Sequence, residues 1–231
     1  MKRVAIVGLG GIGSNLVEPL CRILAYSDSD NEKIPKRVIL IDGKAYKERN
    51  RERQKFSALA NKAETTKEWL ELMFTELNIE SKPVFVNSNN ILALIREGDV
   101  IFLGCDNHAT RNLVSGHVAS LDNALLISGG NELYDGNVQV YERRGGKDIT
   151  PSLTFQHPEI ESPIDRNPAE LSCEELAKAG EPQLLVVNLT VATLMLNAFV
   201  LWLNGFGPYY EVYFDLQTGN VRPVRQKLTS P

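Results

Sequence analysis

Short apolar runs alternate with amphipathic segments through the first half of the chain. Runs such as residues 37–42 are continuously apolar, which is typical of strands buried on both faces of a sheet. The segments between them place apolar residues three and four positions apart, the spacing of a helix packed on one side. The predicted strands are 3–8, 37–42, 84–86 and 100–103, and the predicted helices are 13–26, 58–77 and 89–97. This alternation predicts a Rossmann-like, doubly wound α/β sheet that is parallel in its N-terminal half.

The pattern changes in the second half of the chain. Residues 125–128 and 137–142 predict two further strands, and 210–215 and 221–226 flank a Gln-Thr-Gly-Asn hairpin turn. We therefore expect antiparallel strands to be added to the sheet in the C-terminal half. Residues 145–182 hold five of the eleven prolines and predict a long surface loop.

Residues 184–203 are almost wholly apolar over a length that could span a bilayer. Asparagine and threonine side chains interrupt the run, and no basic residues flank it closely. We therefore predict a buried core helix and no association with a membrane.

Composition and charge are those of an ordinary globular domain. The 231 residues are 43% hydrophobic and 23% charged, and a net charge of −4 without a basic block argues against nucleic acid as a partner. The three cysteines form no C-x-x-C pair, which excludes a four-thiolate zinc site. Because the first predicted strand begins at residue 3, we expect no signal peptide. We expect a cytoplasmic protein with one domain over 1–231. Its parts are a nucleotide-binding part over about 1–130, the loop at about 145–182, and a C-terminal helix and hairpin over about 184–228.

A glycine-rich motif, G-x-G-x-x-G, stands between the first strand and the first helix. Its glycines Gly8, Gly10, Gly11 and Gly13 permit a tight turn and let a phosphate approach the backbone amides at the helix N-terminus. Asp42 ends the second strand, where an acid can accept hydrogen bonds from ribose hydroxyls. The motif predicts a nucleotide site. The alternatives are glycines needed only for close helix–strand packing and a strand-end carboxylate in solvent.

The segment after Asp42 is rich in arginine and lysine over residues 44–55. Charge-assisted donors of this kind offset the charge that develops on a triphosphate during reaction. A solvated helix start is the alternative explanation of the same charges.

This segment resembles the pattern D-x-D-x-V-x-x-x-N-x-x-R-Q of the ThiF/MoeB/HesA superfamily, the adenylation domain shared with ubiquitin-activating enzymes. The matching positions are Asp42, Asn50, Arg53 and Gln54. Residues 100–111, which include Cys-Asp-Asn at 105–107, look like the C-D-N block of the family. Residues 172–183 are similar to the loop known in the family as the crossover loop, and the apolar helix follows it. The three blocks occur in the family's order and span about residues 3–203.

The resemblance implies an ATP-dependent activating enzyme. In the family, the C-terminal glycine of a small ubiquitin-like or sulfur-carrier protein, usually ending in Gly-Gly, attacks the α-phosphate of ATP. The products are an acyl adenylate and pyrophosphate, and Mg²⁺ stabilises the phosphates. The resemblance also implies a homodimer and, in some members, a conjugating enzyme as a second partner.

Site residues follow from the resemblance position by position. Asp42 should hold the ribose, and Asn50 and Arg53 should contact phosphates. Asp106 should hold Mg²⁺, with Asn107 also in the nucleotide site. The alternative for Asp106 is an N-cap of the helix that follows it.

A phosphate-binding lysine is also expected soon after the R-Q pair. Lys62, in Asn-Lys-Ala-Glu, fits the family's G-x-x-K-A-E-like sequence context, and Lys67 fits the spacing equally well. We predict Lys62. On a helix, either lysine could instead be an ordinary solvated side chain.

Cys173 is a candidate acceptor of the acyl group as a thioester. A thiolate at a helix N-terminus is activated by a lowered pKa, and residues 172–175 resemble a helix start. Two adjacent glutamates act in the opposite direction and raise the pKa of the thiol. A covalent role and a purely structural role are both open.

Two departures from the family pattern are visible. Lys44 stands where many members have a second acid, and the C-x-x-C pairs that bind structural zinc are absent, so no zinc is expected. The chain thus looks like the compact, zinc-free ThiF-like proteins of bacteria, plasmids and phages. Two other function classes stay open: an NAD-dependent oxidoreductase, which the glycine motif and Asp42 would also suit, and a non-catalytic module with this fold that docks partner proteins.

Overall fold

The computed structural model describes residues 3–27, 34–171, 175, 183–206 and 209–225. The strands are β1 Arg3–Val7, β2 Arg37–Ile41, β3 Asn78–Lys82, β4 Asp99–Leu103, β5 Ala124–Asn131, β6 Asp135–Arg144, β7 Lys147–Asp148, β8 Glu211–Asp215 and β9 Asn220–Val224. The helices are α1 Gly11–Tyr26, α2 Lys62–Met73, α3 Ile91–Leu94, α4 His108–Ala119, α5 Pro158–Glu161 and α6 Leu185–Leu203, with 3-10 turns at Glu48–Glu52 and Pro168–Glu170. Cys173 and the helix start predicted around it lie outside the described residues.

Within the part of the chain that the structure describes, one sheet of nine strands organises the fold, in the order β3-β2-β1-β4-β5-β6-β8-β9, with β7 paired to β6. Strands β1 to β5 pair in parallel, and β6, β8 and β9 continue the sheet in antiparallel pairs. The predicted Rossmann-like fold, parallel first and antiparallel later, is confirmed. Because β1 lies between β2 and β4, the loops that follow these three strands meet at one edge of the sheet.

Two apolar layers cover the sheet. Every residue of β1 and β4 is buried, and successive side chains of β1 alternate between the layers. Ile6 belongs to the layer under α1 and α6, whereas Val7 belongs to the layer under α4. The second layer also contains Leu153 and Ile160 from the 145–182 loop. Part of the predicted surface loop is therefore a core element.

Helix α6 contains the long apolar run. It packs against α1, β5 and β6, and its buried side includes Val187, Val191 and Met195. Among the described helices, it is the one long and apolar enough to cross a membrane. Its opposite side carries exposed apolar residues, among them Val186.

The strand predicted at 84–86 is wrong. The strand here is β3, in which Ile79 is the one buried residue. At the edge of the sheet a strand has one neighbour and little cover, so its polar sequence shows no apolar run. The apolar residues 84–86 lie in the following loop, where the Phe85 ring fills the space a Cβ on Gly43 would need.

Candidate functional site

The chain turns sharply after β1 through the glycine-rich motif. Gly8 has a φ of +87°, which favours glycine, and a Cβ there would lie 2.9 Å from the carbonyl oxygen of Gly104. A Cβ on Gly13 would lie 2.0 Å from the carbonyl oxygen of Gly8. By contrast, no atom lies within 4 Å of a Cβ built on Gly10. The loop is closely packed on its inner side and open to a ligand at Gly10, where α1 begins.

Gly11 is required for a different contact. A Cβ at this position would lie 2.3 Å from the side-chain nitrogen of Asn188, which is fully buried on α6. Close packing thus explains three of the four motif glycines, Gly8, Gly11 and Gly13. Gly10 is the motif position that faces open space.

Asp42 is buried directly behind this loop. One carboxylate oxygen accepts a hydrogen bond from the Leu9 amide and the other from the Lys44 amide, both at 2.7 Å. Burial raises the pKa of Asp42, and the Lys62 charge and the two amides partly oppose this. A strand-end carboxylate in solvent is therefore the wrong description. Asp42 fastens the glycine loop to the segment after β2 and retains lone pairs for a ribose.

The segment after β2 returns to the site through the 3-10 turn at Glu48–Glu52. Asn50 is buried, and its side-chain oxygen accepts a hydrogen bond from the Lys47 amide at 2.8 Å. Arg53 ends the turn, and its buried Nε has no hydrogen-bond partner among the described residues. An unpaired donor of this kind is costly unless an acceptor is supplied. Arg53 is therefore suited to an anionic ligand.

Lys62 lies at the first position of α2, and Asn61 caps the helix. Its ammonium is buried and donates to the side-chain oxygen of Gln54 at 3.1 Å. Burial lowers the pKa of Lys62, and the nearby carboxylate of Asp42 partly opposes this. Lys67 instead pairs with Glu71 at 3.6 Å on the solvent side of the helix. The structure brings Lys62 to the site, and not Lys67; its phosphate-binding role stays a prediction.

Asp106 follows β4 at the same edge. Asn107, and not Asp106, is the N-cap of α4: its side-chain oxygen accepts from the Thr110 amide at 2.7 Å. The Asp106 side chain is half exposed and lies 3.5 Å from the Lys44 ammonium. Burial acts to raise the pKa of Asp106, but Lys44 and a backbone hydrogen bond outweigh it and the pKa is lowered. Asp106 is an ionised carboxylate that does not cap the helix.

The three parallel strands thus bring the predicted residues together. Those assembled at the carboxyl ends of β1, β2 and β4 are Gly8, Gly10, Gly11, Gly13, Asp42, Asn50, Arg53, Lys62, Asp106 and Asn107. The described residues contain no group of three or more His, Cys, Asp or Glu that could hold a metal ion. A Mg²⁺ ion at Asp106 would therefore need oxygen ligands from a bound phosphate as well.

Two contacts were not predicted from the sequence. The Arg111 guanidinium donates to the carbonyl oxygens of Cys105 and Gly129, at 3.2 and 3.0 Å, and so ties the end of β4 to that of β5. The Asp165 carboxylate accepts from the first two amides of α4, at 2.7 and 2.8 Å. Asp165 belongs to the 145–182 loop, so this contact holds the loop beside the site.

Cys105, at the end of β4, is not a candidate nucleophile. Burial raises the pKa of its thiol to about 11, which leaves it protonated.

The sequence model of the ThiF family matches residues 1–227. The chain therefore belongs to the ThiF family. No curated protein matches it.

Solved structures with the same fold include MccB from E. coli. MccB with ATP superposes with a TM-score of 0.70 at 18% identity, covering 99% of this chain and 66% of MccB. The microcin C7 biosynthetic enzyme MccB in complex with N-formylated MccA gives 0.72 at 19% identity, covering 97% and 64%. PaaA gives 0.69 at 15% identity, covering 97% and 73%. These identities show a shared fold, and the chain spans less than two thirds of the MccB length.

Proposed function

We propose that this protein uses ATP to adenylate the C-terminal carboxylate of a peptide or small carrier protein. The observation that carries the proposal is the convergence, in a ThiF-family chain, of an open glycine turn, a buried lysine and an arginine donor that has no partner among the described residues. These are the groups that a polyphosphate needs. The fold likeness to MccB, which has been solved with ATP and with MccA, supports the same proposal.

In the proposed reaction, a carboxylate oxygen of the carrier forms a bond to the α-phosphorus. The bond from that phosphorus to the pyrophosphate oxygen breaks, and pyrophosphate leaves with its electron pair. Asp42 would accept hydrogen bonds from the ribose, and Asn50, Arg53 and Lys62 would contact the phosphates. A phosphate close to Lys62 would favour its charged form, which burial alone disfavours.

Mg²⁺ fits this site through Asp106 and the phosphates together. Asp106 is ionised, half exposed and free of a capping role, which suits a ligand that shares a hydrated cation with a substrate. When bound, the ion supplies neutralisation of charge on the phosphates. Asn107 holds the start of α4 in place beside this carboxylate.

The carrier that we propose is a ubiquitin-like or sulfur-carrier protein ending in Gly-Gly. We further propose a cytoplasmic homodimer, in which the exposed apolar side of α6 would suit a second copy, and a conjugating enzyme downstream. Transfer of the acyl group to Cys173 as a thioester is an optional second step. It requires a covalent adduct that thiols reverse; adenylation without such an adduct would leave Cys173 structural.

The test is carrier-dependent exchange of pyrophosphate into ATP. A candidate carrier would be any small protein that is encoded beside this gene and ends in Gly-Gly. The proposal predicts pyrophosphate exchange with the cognate carrier and loss of this exchange in Asp106→Ala. The control is Lys147→Ala, which replaces an exposed lysine on β7 and should leave the exchange unchanged. Full exchange in Asp106→Ala contradicts the mechanism. Binding of NADH without binding of ATP would favour an oxidoreductase, and binding of a carrier without ATP would favour a non-catalytic docking module.

A further inference from the structure

Lys44 is held at the edge of the site by its own main chain. Its amide donates to the Asp42 carboxylate at 2.7 Å, and its carbonyl oxygen accepts from the Lys62 amide at 2.9 Å. This segment is therefore fixed on both sides, between β2 and the start of α2. From this position the Lys44 side chain reaches across the glycine loop to Asp106, after β4, at 3.5 Å.

This ion pair is not a core element. The Lys44 side chain is 34% exposed and that of Asp106 is 55% exposed, and at such exposure an ion pair contributes little to stability. Asp106 has no other ion pair among the described residues, and it does not cap α4. The pair is thus free to exchange partners when a charged ligand arrives.

Electrostatics gives the pair a reason to exchange. A triphosphate brings several negative charges toward Asp106, which by itself would repel them. A divalent cation could bridge the two, but the Lys44 ammonium already occupies the carboxylate that the cation would use. Lys44 and a cation therefore compete for the same oxygen, and either can neutralise the same region.

We propose that Lys44 is a phosphate-binding residue whose ammonium exchanges between Asp106 and the phosphates of ATP. When Mg²⁺ takes Asp106, Lys44 is released to the phosphates. Without Mg²⁺, Lys44 still supplies part of the neutralisation, so nucleotide binding depends less on the metal than it otherwise would. The inference rests on the proposed adenylation function, since it requires that the site bind ATP.

The test is calorimetric titration of the protein with ATP at constant ionic strength, once with excess EDTA and once with excess Mg²⁺. The wild type should bind both forms. Lys44→Met should weaken binding of metal-free ATP about tenfold, because the Asp106 charge then faces the phosphates with no cation between them. Binding of Mg·ATP should weaken less than about threefold, because Mg²⁺ neutralises Asp106 without having to displace the lysine, and this gain offsets most of the lost contact between Lys44 and the phosphates. Lys147→Met is the control, because it removes an exposed lysine on β7, which pairs with the C-terminal end of β6. It should change the binding of neither ATP form.

A second variant tests the exchange itself. Asp106→Asn removes the competing charge, so metal-free ATP should bind more tightly than to the wild type, and added Mg²⁺ should no longer improve binding. In the double variant Lys44→Met/Asp106→Asn the two effects should be non-additive, because the residues are partners. Thermal unfolding of every variant, monitored by circular dichroism, is the control for loss of the fold.

The contrary results are distinct. Unchanged binding in Lys44→Met, or equal weakening of both ATP forms, would overturn the exchange while adenylation stands. Absence of ATP binding by the wild type under both conditions would contradict the adenylation proposal itself, and this inference with it.

Discussion

The site contains two acid–lysine pairs that differ in almost every physical respect. In the inner pair, Asp42 and Lys62, both residues are buried, and burial is the largest influence on each pKa. In the outer pair, Lys44 and Asp106, both side chains contact solvent and each other. The side chains of the inner pair are hydrogen-bonded to the loops around them, whereas those of the outer pair have no ion pair besides the one they form with each other among the described residues. One pair builds the site and the other is available to respond to a ligand.

Lys62 gives the largest expected effect. Lys62→Met should lower pyrophosphate exchange about 10²- to 10³-fold, as does removal of one donor aimed at developing charge. The free energy of unfolding should fall, because the variant leaves the buried Asp42 carboxylate without the opposing charge of Lys62. Exchange assays and urea unfolding measure the two quantities. Lys67→Met is the matched variant: an equal loss of exchange there would show that the inner pair is misidentified.

Asp42 and Asp106 should differ in their effect on stability. Asp42→Ala leaves the amides of Leu9 and Lys44 without acceptors and should lower the free energy of unfolding by about 3 kcal/mol. Asp106→Ala should change it by less than about 0.5 kcal/mol, since its ion pair is exposed. Urea denaturation compares them directly. Similar losses in both variants would remove the distinction between the two pairs.

Two glycines of the turn after β1 show the same difference between a residue that builds the site and one that faces the ligand. Gly13→Ala places a Cβ against the carbonyl oxygen of Gly8 and should lower the free energy of unfolding by about 1–3 kcal/mol. Gly10→Ala, whose Cβ would enter open space, should leave stability within about 0.5 kcal/mol but weaken ATP binding. Unfolding and titration measurements separate these outcomes. Unaltered ATP binding in Gly10→Ala would show that phosphates do not approach this side.

The smallest effect concerns the 145–182 loop, where His157 lies between a buried and an exposed carboxylate. Its ring hydrogen-bonds Glu211 at 2.9 Å and Glu159 at 2.7 Å. The bond to Glu211 raises the pKa of His157, burial opposes this, and Glu159 adds to the rise. The raised pKa means that the protonated ring stabilises the fold at acidic pH, and that this contribution is lost as pH rises through the folded-state pKa.

The measurement is the free energy of unfolding of the wild type and of His157→Gln between pH 6 and pH 9. The difference between the two proteins should shrink as the pH rises above the ordinary histidine pKa of about 6.5. Glu211→Gln should remove most of this pH dependence and Glu159→Gln little of it, because Glu211 is buried and Glu159 is half exposed. A difference that grows with pH would contradict the assignment.

Sequence patterns predict the parallel half of the fold well for a physical reason. Strands such as β1 and β4 are buried on both faces, so each is a continuous apolar run. β3 escapes this signal because it lies at the edge with a polar sequence. The predicted helix 58–77 is longer at both ends than α2, which is Lys62–Met73. At the N-terminal end, the Asn61 cap and not the apolar spacing sets where the helix begins.

The site shows the same division. Asp42 and Asp106 each follow a strand that the apolar pattern reveals, and the resemblance to the family points to Lys62 at the start of α2. Contacts between distant segments left no such trace: Asp165 and His108 are separated by 57 residues, and His157 and Glu211 by 54. The tertiary fold alone creates these pairs, as it creates the contact of Lys44 with Asp106.

The central claim, activation of a carboxylate as an adenylate, is tested most directly by analysing the products. The cognate carrier is incubated with the protein, ATP and Mg²⁺, and both the carrier and the nucleotide are examined by mass spectrometry. The account predicts AMP attached at the C-terminal carboxylate of the carrier, with release of pyrophosphate, and no attachment to a carrier lacking its last residue. Release of ADP with a phosphate on the carrier, or an unmodified carrier while ATP is bound, would contradict it.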